Sequence, residues 1–142
     1  MQTDTPLANL VSQLGCSLAM YVSDAGIWSY PGAEEIKLAL AALADDHRSL
    51  IERAGAAIED RGLEVPRHPY PIQFTATHDL DLRALLPRVI TGLKAQVAAL
   101  DKAALPADDP EAADLVGEAI TSTRTHLDAL QQLLARPHVA AG

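Results

Sequence analysis

His47 and His126 are the side chains of this sequence best suited to chemistry, because each sits in or beside the apolar stripe of an amphipathic segment. An inward imidazole can ligate a divalent cation or carry a proton, and it can also stand in a core if neighbours satisfy its nitrogens. Counting at ~1.5 Å per helical residue puts His47 about 21 Å from the first inter-helix turn. Near that level fall Ser17, Gln96 and Thr123, with His126 about one turn away. The spacing therefore predicts an interior polar cluster of His47, Gln96, Thr123 and His126, joined inside by Ser17 or by Tyr21 of the first stripe. Gln96, Thr123 and Tyr21 are the ligand-binding candidates, and His47 with His126 are the metal-ligand candidates. The bland alternative leads: Gln96, Thr123 or a water satisfies the histidines, and the cluster is part of the core.

Other candidates carry less. His78-Asp79 could form an imidazole oriented by a carboxylate, but Thr77 or Asp79 more simply caps a helix there. Cys16, the single cysteine, has no partner for an internal disulfide and reads as a small core residue. His68 and His138 lie in Pro-flanked segments. Asp46, Glu52 and Glu118 lie off the apolar stripes and are expected on solvated faces.

The elements that must position these residues are four amphipathic segments joined by short, long and short connectors. The first predicted helix runs over about 6–29, with Thr5 as its cap, Pro6 at its first position and a stripe from Leu7 through Leu14 and Leu18 to Trp28. The second runs over about 33–61 on Ile36, Leu40, Leu43, His47, Leu50, Ala54 and Ile58, and Gly62 stops it. The third runs over about 79–104 with Pro87 inside it, which predicts a kink. The fourth runs over about 110–135 and has the clearest start, with Asp109 as cap, Pro110 first and Glu111 next. The connector over 62–78 contains Pro66, Pro69 and Pro71, so it is extended. About 16 extended residues reach at most ~55 Å, more than the ~38 Å of a 25-residue helix. The connector can thus cross the whole length of the helices and set the second and third parallel.

Composition narrows the classes. In 142 residues, 49% are hydrophobic and only 4% aromatic, which suits interdigitated helices rather than strands. Nineteen acidic against 11 basic residues give a formal charge of −8, so no nucleic-acid partner is expected. No apolar run approaches the ~18 residues of a membrane span, and no basic-then-apolar leader opens the sequence. A single domain over 1–142, cytoplasmic and without a membrane partner, is the expectation.

With this helix order, the long second connector and an inward histidine on the second and fourth helices, the chain resembles the ferritin-like superfamily over about Leu7 to Leu134. The segment Thr123-Arg-Thr-His126-Leu-Asp-Ala-Leu is similar to a fourth helix of that group. The resemblance implies an all-α four-helix bundle with a long crossover between helices 2 and 3. It also implies a dinuclear metal site built from one glutamate on each of two helices and Glu-x-x-His on the other two. Here the position three before His126 is Thr123, and three before His47 is Ala44, so the carboxylates are missing. The expected function is a binding or interaction module with no working dinuclear centre and no cofactor, taking a small molecule or forming a homodimer. The alternative is a metal-dependent enzyme or iron-handling protein using iron, zinc or another divalent ion near His47 and His126.

Overall fold

Residues recurring every three or four positions bury one face when the backbone coils at 3.6 residues per turn, and that pattern governs this chain. The computed structural model describes residues 6–67, 69–103 and 108–136. Among them the secondary structure is wholly helical, with no strand: α1 (Pro6–Gly15), α2 (Leu18–Gly26), α3 (Glu34–Asp60), α4 (Leu82–Lys102) and α5 (Pro110–Ala135). Short 3-10 segments, Ile27–Ser29 and Ile72–Thr77, follow α2 and precede α4. No helix of the described residues is long and apolar enough to cross a membrane. Thr5, His68, Ala104 and His138 lie outside the described residues.

The first helix departs from the expectation of one segment over 6–29. It breaks after Gly15, where Ser17 turns extended (φ −77°, ψ 156°) and its hydroxyl accepts from the Met20 N–H at 3.1 Å. A serine that satisfies a free amide of the next turn competes with continuing the helix, and here the competition wins. Gly26, at φ +102°, then follows the last turn of α2 into the 3-10 segment. The start of α4 also moves, from about 79 to Leu82. Asp81 is its cap, accepting from the Arg83 N–H at 2.8 Å. Thr77 is spent elsewhere: its hydroxyl donates to the Phe74 carbonyl at 2.7 Å and lies 3.2 Å from the buried Tyr30 hydroxyl. Pro87 stands on the exposed side of α4, which runs through it as one helix.

Ion pairs mark how α3 and α5 lie together. Asp46 meets His126, Arg53 meets Glu118 through two bonds of 2.7 and 2.9 Å, and Arg61 meets Asp109 at 2.8 and 2.9 Å and Glu111 at 3.0 Å. Arg136 pairs with Glu35 at the other end. Each step up α3 is matched by a step down α5 equal to within one residue, so the two are antiparallel. Such exposed pairs contribute little individually, ~0–1 kcal/mol. Arg83 of α4 donates to the Leu133, Leu134 and Arg136 carbonyls at 3.3, 3.0 and 2.6 Å, satisfying the last turn of α5. The Leu82 N–H donates to the Pro31 carbonyl at 2.8 Å, which sets the start of α4 beside the start of α3.

The interior consists of two apolar clusters. One gathers Val22, Tyr30, Leu40, Leu43, Leu86, Leu93 and Leu130, and the other Leu7, Leu10, Leu14, Leu50, Ile58, Leu100 and Leu115. Between them along the helices stand the buried polar residues His47, Gln96 and Thr123. α1 and α2 pack on α3, and α5 packs on α3 and α4, whereas α1–α2 and α4 meet only sparsely.

Gly32 is the tightest backbone contact in this arrangement. It sits at φ +146°, and a Cβ there would lie 2.9 Å from Leu82 Cβ and 3.2 Å from Leu82 N. Gly32→Ala is expected to destabilise the fold by about 2–3 kcal/mol, combining backbone strain with displacement of the α4 start. Urea denaturation of the variant against wild type measures this; a loss under ~0.5 kcal/mol would show that the α3–α4 junction yields.

Candidate functional site

The polar layer is built by three helices. α3 brings His47, α5 brings Thr123 and α4 brings Gln96, each within an otherwise apolar buried face. His47 Nε2 and Thr123 Oγ1 lie 3.0 Å apart, and both side chains are fully buried. His47 Nδ1 has no hydrogen-bond partner among the described residues. Burial pushes the His47 imidazole down to about pKa 4 from its ordinary 6.5; nearby His126 adds to this, and Asp46 opposes it. At neutral pH His47 is therefore an uncharged, sealed imidazole, unable to reach a solvent-borne substrate.

His126 does not complete an inner cluster. It lies one turn beyond Thr123 and turns outward, where its Nε2 meets Asp46 Oδ2 at 2.5 Å across the α3–α5 seam. The residue beside His47 thus binds the other histidine, a pairing the sequence reading missed when it placed Asp46 on a solvated edge. Gln96 turns the other way. Its amide nitrogen donates to the Gln13 carbonyl of α1 at 2.6 Å. A carbonyl accepts only, so the nitrogen must face it, and this leaves Gln96 Oε1 buried without a partner.

Tyr21 belongs to a separate cluster on α2 and the connector. Its hydroxyl lies 2.6 Å from His78 Nε2, and its ring packs against Tyr70, Phe74 and His78 at 5.2–5.7 Å between centroids. Tyr30 stacks on the other side of His78. The Tyr70 hydroxyl donates to Asp24, which also takes Arg48 at 2.9 Å. Partial burial of the Asp24 carboxyl is outweighed by those two donors, which hold it below the usual carboxylate range. Asp79 is exposed and His78 is taken by Tyr21, so the His78-Asp79 base suggested by adjacency is replaced by an aromatic clamp on the connector.

A dinuclear metal centre of the kind the ferritin-like resemblance implies does not fit these residues. Two divalent ions need several anionic oxygens to offset their charge. The buried layer contributes an imidazole, an amide and a hydroxyl, and its nearest carboxylate, Asp46, is engaged by His126. Among the described residues no three His, Cys, Asp or Glu side chains are grouped to hold an ion.

An opening lies on the side where α1–α2 and α4 meet sparsely. A groove of about 1480 Å³ runs there, walled by α1, the start of α2, α4 and the connector. Its lining includes Leu93, Ala95 and Ala99 of α4, Ala8 of α1 and Phe74 of the connector. Gln13 and Gln96 line it. A Cβ added at Gly92, on the α4 wall, would touch nothing within 4 Å. The sequence reading missed the groove; its one signal was the run of small residues at Gly92, Ala95 and Ala99.

No protein-family model, curated protein or solved structure matches this chain significantly.

The His47 environment makes an acid-side prediction. Its folded pKa is depressed, so the unfolded chain takes up a proton near pH 6.5 while the folded chain does not until about pH 4. Stability attributable to this group is intact above pH 6.5 and is lost as the pH falls toward 4. The full loss is about 3 kcal/mol, from a gap of ~2.5 pH units at ~1.36 kcal/mol each. Urea melts at steps between pH 7 and 4 should show His47→Gln losing about 3 kcal/mol less than wild type over that range. Parallel curves for the two proteins would contradict the buried neutral imidazole.

Proposed function

We propose that this chain is a ferritin-like four-helix bundle that has no dinuclear metal centre and works as a binding module, its site being the groove between α1–α2 and α4. In this reading α1 and α2 together make the first helix of the bundle, and the connector over 62–81 is the long crossover. The Leu82–Pro31 hydrogen bond supports a parallel α3 and α4, since it joins their starts. The antiparallel pairing of α3 with α5, and the Arg83 cap on the end of α5, support the remaining order.

The observation that carries the functional reading is Gln96. A buried amide oxygen with no partner costs ~1–3 kcal/mol, so such atoms are rare unless a water or ligand completes them. Here the amide belongs to the wall of the groove. The groove supplies apolar area for affinity and a few polar groups for orientation, the usual balance of a small-molecule site. The sealed His47–Thr123 pair serves the core instead.

Two measurements test this. A neutral apolar dye such as N-phenylnaphthylamine is expected to gain fluorescence with the wild type, and Gly92→Phe to weaken that binding at least tenfold. Gly92→Phe should not lower the melting temperature, because glycine is the poorer helix former and the new ring enters open space. Elemental analysis of protein purified without chelator should find iron, manganese and zinc well below one ion per chain. Stoichiometric metal, or dye binding untouched by Gly92→Phe, would overturn the proposal.

A further inference from the structure

We infer that the groove takes a single-chain anionic amphiphile, a carboxylate or similar acid head on an extended apolar tail. This rests on the reading of the groove as the binding site and names its ligand class. The chain carries a formal charge of −8, with 19 acidic residues spread along it. Yet the groove is lined by no Asp, Glu or Lys among the described residues, and its only charged side chains are Arg67 of the connector and Arg88 of α4. Both are exposed at its edge. Arg48, Arg53, Arg61, Arg83 and Arg136 are each committed to a carboxylate or a helix end. Arg67 and Arg88, like the exposed Arg124 of α5 away from the groove, are hydrogen-bonded to no described residue. Two uncommitted guanidiniums at the rim of an apolar trough in an acidic protein match an acid head, since guanidinium forms charge-assisted, often bidentate bonds to carboxylate or phosphate oxygens.

The trough suits the tail. From Arg88 to Ala103 the wall runs about 22 Å at ~1.5 Å per residue, and its lining between is Val89, Gly92, Leu93, Ala95, Gln96 and Ala99, half of them Gly or Ala. These small side chains leave a channel open along its length rather than a deep pit. Gln96 lines the trough partway along, with its Oε1 buried behind the surface.

The test is displacement of the bound dye by three ligands of matched chain: decanoate, decanol and decyltrimethylammonium, all below their micellar concentrations. Decanoate is expected to compete at least tenfold better than either of the others. Arg67→Gln with Arg88→Gln should cost decanoate at least tenfold while leaving dye and decanol binding unchanged. Gly92→Phe should abolish competition by all three. If the dye binds but decanoate shows no advantage, or the double arginine variant binds it normally, the ligand class is wrong while the groove stands. If the dye does not bind the wild type, the binding-module reading itself fails. If wild type is a dimer that Gly92→Phe makes monomeric, a second copy fills the groove and this inference falls.

Discussion

One buried hydrogen bond constrains the whole arrangement: His47 Nε2 to Thr123 Oγ1, between α3 and α5 and wholly out of water. A polar group sealed in a core costs far more unpaired than it gains when paired. Leucines could slide past one another along these helices with modest repacking. The imidazole cannot, because any slip of α3 against α5 leaves it buried against hydrocarbon. The outer contacts repeat the same register, with Asp46–His126 one layer out and Arg53–Glu118 and Arg61–Asp109 along the seam. Those exposed pairs are too weak to set the register themselves. They read as a surface pattern compatible with a register decided inside.

The polar layer also explains why the interior divides into two apolar clusters. His47, Thr123 and Gln96 stand where Leu43 and Leu50, Ala119 and Leu127, and Leu93 and Leu100 would otherwise run on continuously. Ile120 packs against both clusters and bridges the gap. The connector is fastened at its start, where Leu63 and Val65 pack on the second cluster, and again at an aromatic clamp. Tyr21, Tyr70, Phe74 and His78 clamp it to α2, with Asp24 receiving both Tyr70 and Arg48. Between α4 and α1 no aromatic side chain among the described residues lines the groove, and α4 contributes Gly92, Ala95 and Ala99 beside the Gln96 that bonds the Gln13 carbonyl. The groove is the result of bulk concentrated at α3, α5 and the clamp, and withheld between α1 and α4.

How much of this the sequence discloses depends on range. Local signals read well: Asp109 caps α5 by accepting from the Ala112 N–H, and Pro110 follows as the sequence indicates. The all-helical class follows from periodicity and from the shortage of aromatic and β-branched residues. His47 stands out as the polar member of an apolar stripe, and it is buried. The break at Ser17 was invisible because Leu14, Leu18 and Tyr21 keep helical spacing straight through it, while the cap that causes it needs only one hydroxyl. Asp46–His126 was missed for a different reason. A residue on the edge of one helix stripe looks solvated until the edge of the next helix is known to lie beside it. Tyr21 was assigned inward by its place in the stripe, but a tyrosine at a helix flank can equally close over a connector, and connector position is the least local feature of all.

Gln96 joins the sealed layer to the open groove, and this shapes what the molecule can do. Were the chemistry to sit at His47, a substrate would have to part α3 from α5, breaking the bond that holds their register and exposing two apolar clusters. That cost rises to the scale of a domain's whole stability, ~5–15 kcal/mol. Gln96 stands apart from that bond, with its nitrogen fixed to the Gln13 carbonyl, its oxygen buried, and the residue itself lining the groove. The polar layer therefore reaches from the α3–α5 seam, which must stay closed, to the wall of the groove, which is already open.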